Sequence, residues 1–119
     1  MRILDSNLII YSALPNYAYL RALLKSADSY ASEVTRLEVL GFHRLDVPSQ
    51  LYFESAFAAL PLLGIDRATV DEAIRLRQER KMSVGDAIVA ATARLNQLEV
   101  YTRNVDDFDW IPGLKVINP

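Results

Sequence analysis

The sequence predicts an α/β fold, a three-layer α/β/α sandwich around a short, mainly parallel central sheet, built as one domain over residues 1–119. Three observations predict it. Short apolar runs of strand length recur at 2–4, 29–32, 62–65, 100–102 and 115–117. Helix-forming stretches separate them, the alternation that yields a parallel sheet covered on both faces. The run "DAIVAATARL" is apolar nearly all round and rich in small residues, as a buried helix lying close on a sheet requires. A chain of 119 residues is long enough to bury a single core without covalent staples.

Taken in order, Arg2, Ile3 and Leu4 read as the first strand, and helical material follows from about 7 to 26. "SYAS" at 29–32 is the next strand, and helices near 33–43 and 48–60 come after it. Pro48 suits the first turn of the second of these. "LLGI" at 62–65 reads as a short strand closed by Asp66, which caps a helix near 67–80. A helix near 84–97 precedes the strand "VYT" at 100–102, and "KVI" at 115–117 is an edge strand after the Pro112-Gly113 turn. In "LYFESAFAALPLL", Leu51, Phe53, Ala56, Phe57 and Leu60 offer more apolar surface than one helix face needs, for core packing or a protein interface. No repeat, low-complexity tract or linker interrupts the chain.

Composition excludes several function classes. There is no cysteine, so disulfides, zinc–thiolate sites and thiol nucleophiles are absent, and a reducing cytoplasm is the expected location. The N-terminus lacks the pattern of a signal peptide, and no apolar run approaches the ~20 residues that span a bilayer. The formal net charge of −2 argues against a generic nucleic-acid binder. That balance misleads if acids are gathered in one place. Setting aside Asp5, Glu38, Asp86 and Asp107 leaves a net positive chain.

Those acids each have an ordinary explanation. Asp5 follows the first strand, where it is either a helix N-cap or a ligand at the carboxyl end of a buried strand. Glu38 shares a helical face with Val34, Leu37 and Gly41, so it either interrupts an apolar stripe or reaches solvent at its rim. Ser83 followed by Asp86 resembles a capping box. Asn104, Asp106 and Asp107 lie in a loop where turn chemistry accounts for them. Their shared topology points elsewhere, because a parallel sheet brings all of them to one rim. Two carboxylates ~5 Å apart repel by about 3 kcal/mol at an effective dielectric near 20. Oxygen-only donors suit a hard ion, Mg²⁺ or Mn²⁺, and such ions activate water against phosphate esters.

"LDSNLII", "SEVTRLEVLGF", "SVGDAIVAATA" and "YTRNVDDFDWIPGLKVINP" occur in an order that resembles the PIN-domain family, and more narrowly the VapC-type toxins of bacterial toxin–antitoxin pairs. The resemblance runs from Ile3 to Pro119 and is weakest between about 45 and 80. It implies a small α/β nuclease that cleaves RNA with Mg²⁺ or Mn²⁺. Carried onto this chain, it implies Asp5, Glu38 and Asp86 as metal ligands, with Asn104 and Asp107 sharing the fourth position. Asn104 stands where some members carry an acid, which leaves a second metal open. The resemblance also implies Asn7 as polar neighbour of Asp5, Ser6 and Thr102 as supporting hydroxyls, a homodimer, and a cognate antitoxin as inhibitor. Arg36, Arg44 and Arg103 flank the motifs and are candidates for holding RNA phosphates, or are plain surface charge. His43, the only histidine, has no catalytic neighbour in the sequence.

Two other function classes compete. One is a PIN-like RNA-binding or regulatory module with weakened catalysis, which Asn104 would suit. The other is an aspartyl-phosphate phosphatase built on Asp5. It would want an acid where Asn7 stands, and a nearby lysine.

Overall fold

The computed structural model describes residues 1–119. Five strands, β1 (Arg2–Leu4), β2 (Ser29–Ser32), β3 (Leu62–Leu63), β4 (Glu99–Tyr101) and β5 (Val116–Ile117), form one sheet in the order β3-β2-β1-β4-β5. Every pairing is parallel. Six α-helices connect them: α1 (Ser6–Ser12), α2 (Arg21–Lys25), α3 (Glu33–Leu40), α4 (Val47–Ala59), α5 (Arg67–Glu79) and α6 (Val84–Asn96). None is long and apolar enough to cross a membrane.

The period-two alternation of β1 divides the core. Ile3 points to one face, where it packs with Ala73 and Leu76 of α5, Ala87, Ala90 and Ala91 of α6, and Phe108. Leu4 points to the other and meets Leu8 and Ile9 of α1, Leu24 of α2, and Phe53 and Phe57 of α4. Helix α3 spans the two, with Val34 in the first cluster and Val39 in the second. The three expected layers are therefore present.

The helical stretch expected from 7 to 26 is broken. Pro15 cannot continue a helix ladder, and a 3₁₀ segment, Pro15–Leu20, separates α1 from α2. Arg21 fastens the break, donating from Nε to the Ser12 carbonyl at 2.8 Å while its guanidinium lies over the Tyr52 ring. The strand expected at 62–65 is only two residues long, because Gly64 and Ile65 leave the ladder before the Asp66 cap. On α4, Phe53, Ala56 and Phe57 are core residues, as is Leu60 just beyond its end, and Leu51 stays exposed.

Chain order changes direction at the centre of the sheet. From β1 the chain moves outward to β2 and β3, then crosses to β4 on the opposite side of β1. In open α/β sheets a crevice forms beyond the carboxyl ends of strands at such a reversal. Here those ends are Leu4 and Tyr101, which are register partners.

Candidate active site

Because Leu4 pairs with Tyr101, the next residues on each strand, Asp5 and Thr102, meet across the crevice. The Asp5 backbone N–H still donates to the Tyr101 carbonyl at 3.0 Å, so its position is held by the sheet. Its side chain is almost wholly buried, 4% exposed. Oδ1 accepts from the Ser6 N–H at 2.9 Å. Oδ2 accepts from the Thr102 hydroxyl at 3.0 Å and the Asn7 amide at 3.3 Å. This is not the usual helix cap, in which the carboxylate reaches the third helical N–H. Asp46 and Asp66 cap that way, accepting from Ser49 and Thr69 at 2.8 and 2.9 Å. Asp5 instead spends its oxygens on groups that aim it into the crevice.

Asn7 completes that bracing. Its Nδ2 also approaches Thr102 Oγ1 at 3.3 Å, and its Oδ1 accepts from the Arg103 N–H at 3.1 Å. The Asn104 N–H donates to Thr102 Oγ1 at 3.0 Å, so Thr102 ties the loop after β4 to the end of β1. Ser6 contributes its backbone N–H to this arrangement.

Asp86 enters from the first turn of α6. The Ser83 hydroxyl accepts from the Asp86 N–H at 3.0 Å. The return bond of a full capping box is not made, which leaves the carboxylate facing the crevice. Glu38 arrives from α3. Of the two surroundings the sequence allows it, the rim open to solvent is the one observed: Leu37 is 71% exposed and Glu38 is exposed too, while Val34, Thr35 and Val39 form the buried face. The buried residues of α3 therefore lie one position away from the stripe of Leu37 and Glu38. The Glu38 carboxylate nevertheless packs on α6, because a Cβ built at Gly85 would stand 2.7 Å from its Oε2. Asp107, in a one-turn 3₁₀ segment (Val105–Asp107), closes the group from the β4 side.

The electrostatics record this gathering. Burial pushes the Asp5 carboxyl up to about 6, with the negative charges of Asp86 and Glu38 adding to it and the bonds from Thr102 and Ser6 opposing. Glu38 is raised by desolvation and by Asp86. Asp86 is raised by desolvation and by Asp107, against the pull of Ser83. None of the four takes part in any of the protein's ion pairs. Like charges brought together without a partner resist ionisation. The donor set is all oxygen, which fits a hard divalent ion. As the side chains stand, no three carboxylates close on one point, so such an ion would draw them inward.

The cationic candidates fare differently. Arg36 is exposed and paired with Glu33 one turn away. Arg44 is exposed and lines a groove of about 360 Å³ together with Glu38. Arg103 is packed in aromatic rings, its guanidinium 5.5 Å from the Tyr11 centroid and 5.1 Å from that of Tyr17, with Nη1 donating to the Tyr19 hydroxyl at 3.3 Å. Asn104 is exposed beside the cluster, and His43 is exposed against Phe42. Sequence reasoning missed Arg77, Arg80, Lys81 and Trp110, which surround Asp86 and Asp107 in a cavity of about 530 Å³. The basic run "RQERK" just before Ser83 was the available signal.

Gly85 offers a way to move Glu38 without unfolding the helix. Gly85→Ala gains up to about 1 kcal/mol of helix propensity, and the obstacle it meets is the movable end of Glu38. The expected outcome is an unchanged or higher melting temperature with the Glu38 carboxylate displaced from α6, which thermal melts and a structure of the variant check.

Comparison with known proteins agrees with the architecture. No curated protein matches the chain. Among solved structures, it resembles a chain of a toxin–antitoxin complex from Klebsiella pneumoniae, at 29% identity and a TM-score of 0.82, covering 100% of this chain and 98% of that one. It shares its fold with VapBC2 from Rickettsia felis bound to a promoter DNA fragment (18% identity, TM-score 0.81, 99% and 98% covered). The same holds for DNA-bound VapBC from Salmonella typhimurium (22%, 0.80, 98% of each chain). The PIN domain profile matches residues 2–113, nearly the whole length, and the chain belongs to the PIN domain family.

Proposed function

We propose that this protein is an endoribonuclease dependent on Mg²⁺ or Mn²⁺ and the toxin of a toxin–antitoxin pair. The observation that carries this reading is the approach of Asp5, Glu38, Asp86 and Asp107 to one another from four separate elements, with none of the four in an ion pair. The likeness to chains of toxin–antitoxin complexes supports it. A bound divalent ion supplies a water of lowered pKa and positive charge for the phosphate oxygens. Asp5, Glu38 and Asp86 would hold it, with Asp107 or the Asn104 amide completing the set. Thr102, Asn7 and the Ser6 N–H fix Asp5 so that its free lone pairs face the crevice.

The partner reading has support of its own. The groove that holds Glu38 and Arg44 is flanked by exposed Leu14, Phe42 and Ile10, apolar surface beside the candidate site. An antitoxin segment covering it would block access of RNA to Glu38. A homodimer would bury the apolar cleft between α5 and α6, where Val70, Ile74 and Val84 are exposed. The phosphatase alternative is disfavoured by Asn7, whose amide braces Asp5 from the position where a second acid would be wanted. A weakened RNA-binding module stays in contention through the exposed amide of Asn104.

The test is cleavage of a mixed RNA pool by the purified protein with Mn²⁺, and with EDTA. Cleavage with the ion alone, suppressed by the co-expressed product of a small reading frame adjoining the gene, is the expected result. Absence of cleavage together with absence of Mn²⁺ binding would remove the nuclease reading.

A further inference from the structure

Beside the acidic crevice lies a cavity of mixed charge. Arg77, Arg80 and Lys81 line it together with Asp86, Asp106 and Asp107, and Trp110 lines it as well. The cations are available. None of the three forms an ion pair, although carboxylates line the same cavity. The Arg77 Nε donates to the Met82 carbonyl at 3.1 Å, which fixes the loop that carries Lys81 into α6. All three side chains are exposed.

Trp110 is held in a set orientation. Its indole N–H donates to the Asp107 backbone carbonyl at 3.1 Å, so the ring is anchored to the same short segment that presents the Asp107 carboxylate. The Arg80 guanidinium lies over the ring at 5.5 Å. A half-exposed indole whose face holds a guanidinium is a surface on which a nucleobase stacks once that guanidinium turns to a phosphate, with stacking worth several-fold to a hundredfold in affinity.

The pairing of charges narrows the ligand. A simple anion would engage the three cations but meet Asp86, Asp106 and Asp107 as well. A phosphodiester strand uses both kinds of group, its phosphates on the cations and one phosphate facing the carboxylates through an ion. The cavity also continues. Asp106 and Asp107 line a second hollow of about 510 Å³ with Arg103 and Asn104, so a polymer can run past the acids from one hollow to the other. Stacking on a single indole needs a base already out of a helix, which selects single-stranded or looped RNA.

We propose that this cavity is a substrate subsite: Arg77, Arg80 and Lys81 hold the phosphates of an unpaired RNA strand next to the cleavage point, and one base stacks on Trp110. The proposal rests on the nuclease reading above and adds where the strand lies and what reads it.

Trp110 is the only tryptophan in the chain, so its fluorescence reports the subsite alone. The experiment uses Asp5→Asn protein in Mg²⁺ at low salt, to hold RNA uncleaved. Binding of a labelled single-stranded oligoribonucleotide is followed by anisotropy, and tryptophan emission is read in the same titration. The expected result is saturable quenching that tracks anisotropy. A matched oligomer without bases should bind more weakly and leave emission unchanged. Arg80→Ala/Lys81→Ala should weaken binding about tenfold or more and reduce the slope of log K against log salt by ~1.4, for two phosphate contacts to a single strand. RNA binding with unchanged emission, and with the double variant binding as tightly as its parent, would overturn the subsite and leave the nuclease reading standing. No binding of RNA at all would also overturn the subsite, while the nuclease reading is decided separately by cleavage with the parent protein.

Discussion

Asp5→Asn is expected to abolish RNA cleavage, by a factor on the order of 10³ or more, while leaving the fold intact. The magnitude follows from removing one charge from the ion-holding set, at the scale that loss of a principal electrostatic group carries in other active sites. The preserved fold follows from the local geometry. An asparagine whose Oδ1 takes the place of Oδ2 still accepts from the Thr102 hydroxyl and the Asn7 amide, and gives up only the bond from the Ser6 N–H. A purely structural Asp5 would behave otherwise, since its loss would then lower stability and activity together. Asp86→Asn is expected to give a loss of similar size, and the double variant little more than either single one, because residues acting as a unit are not additive. Single-turnover cleavage and thermal melts on the same three proteins check this.

The second large effect concerns stability without metal. A carboxyl held near 6 in the folded protein and near 3.8 when unfolded binds its proton more tightly in the native state. Stability from this group is therefore full below about pH 4 and declines as pH rises toward and through 6. The shift corresponds to a penalty of about 3 kcal/mol at neutral pH, as an upper figure. Glu38 and Asp86 are raised as well and act in the same direction. Asp46, Asp66 and Glu99 are held low by their bonds to Ser49, Thr69 and Lys115, so they oppose the trend only at acid pH. In EDTA, the melting temperature is thus expected to be higher near pH 5 than at pH 7.5, by several degrees for a domain of this size. Asp5→Asn should flatten that decline and melt higher than the parent protein at pH 7.5. Saturating Mn²⁺ should stabilise the parent at neutral pH by neutralising the same charges. Calorimetry at the two pH values, with EDTA and with Mn²⁺, measures all three effects. A melting temperature that rises from pH 5 to 7.5 in EDTA would contradict the charge repulsion described here.

Much of this was legible in the sequence because it depends on short-range patterns. The strand Arg2-Ile3-Leu4 followed by Asp5, and "VYT" ending in Thr102, mark two strand ends, and the parallel register of β1 with β4 then brings Asp5 and Thr102 together. The cap residues Ser83 and Asp66 were equally visible. What escaped depends on tertiary geometry. The face of α3 was misjudged because Leu37 looks like a core residue on a wheel, yet α3 ends at Leu40 and turns Leu37 outward. Arg103 reads as a free cation until the 3₁₀ segment after Pro15 folds Tyr17 and Tyr19 against it. Trp110 and Lys81 are far apart in sequence, and only the packing of the loop after β4 against the start of α6 places them in one cavity.

The central claim, that these carboxylates form a divalent-ion site, is tested most directly by titrating metal-free protein with Mn²⁺ and measuring the free ion by electron paramagnetic resonance at neutral pH. Saturable binding by the parent protein, markedly weakened in Asp5→Asn and in Asp86→Asn, is the result expected. Mn²⁺ that stays free in the presence of folded parent protein, or binds all three proteins equally, would contradict it.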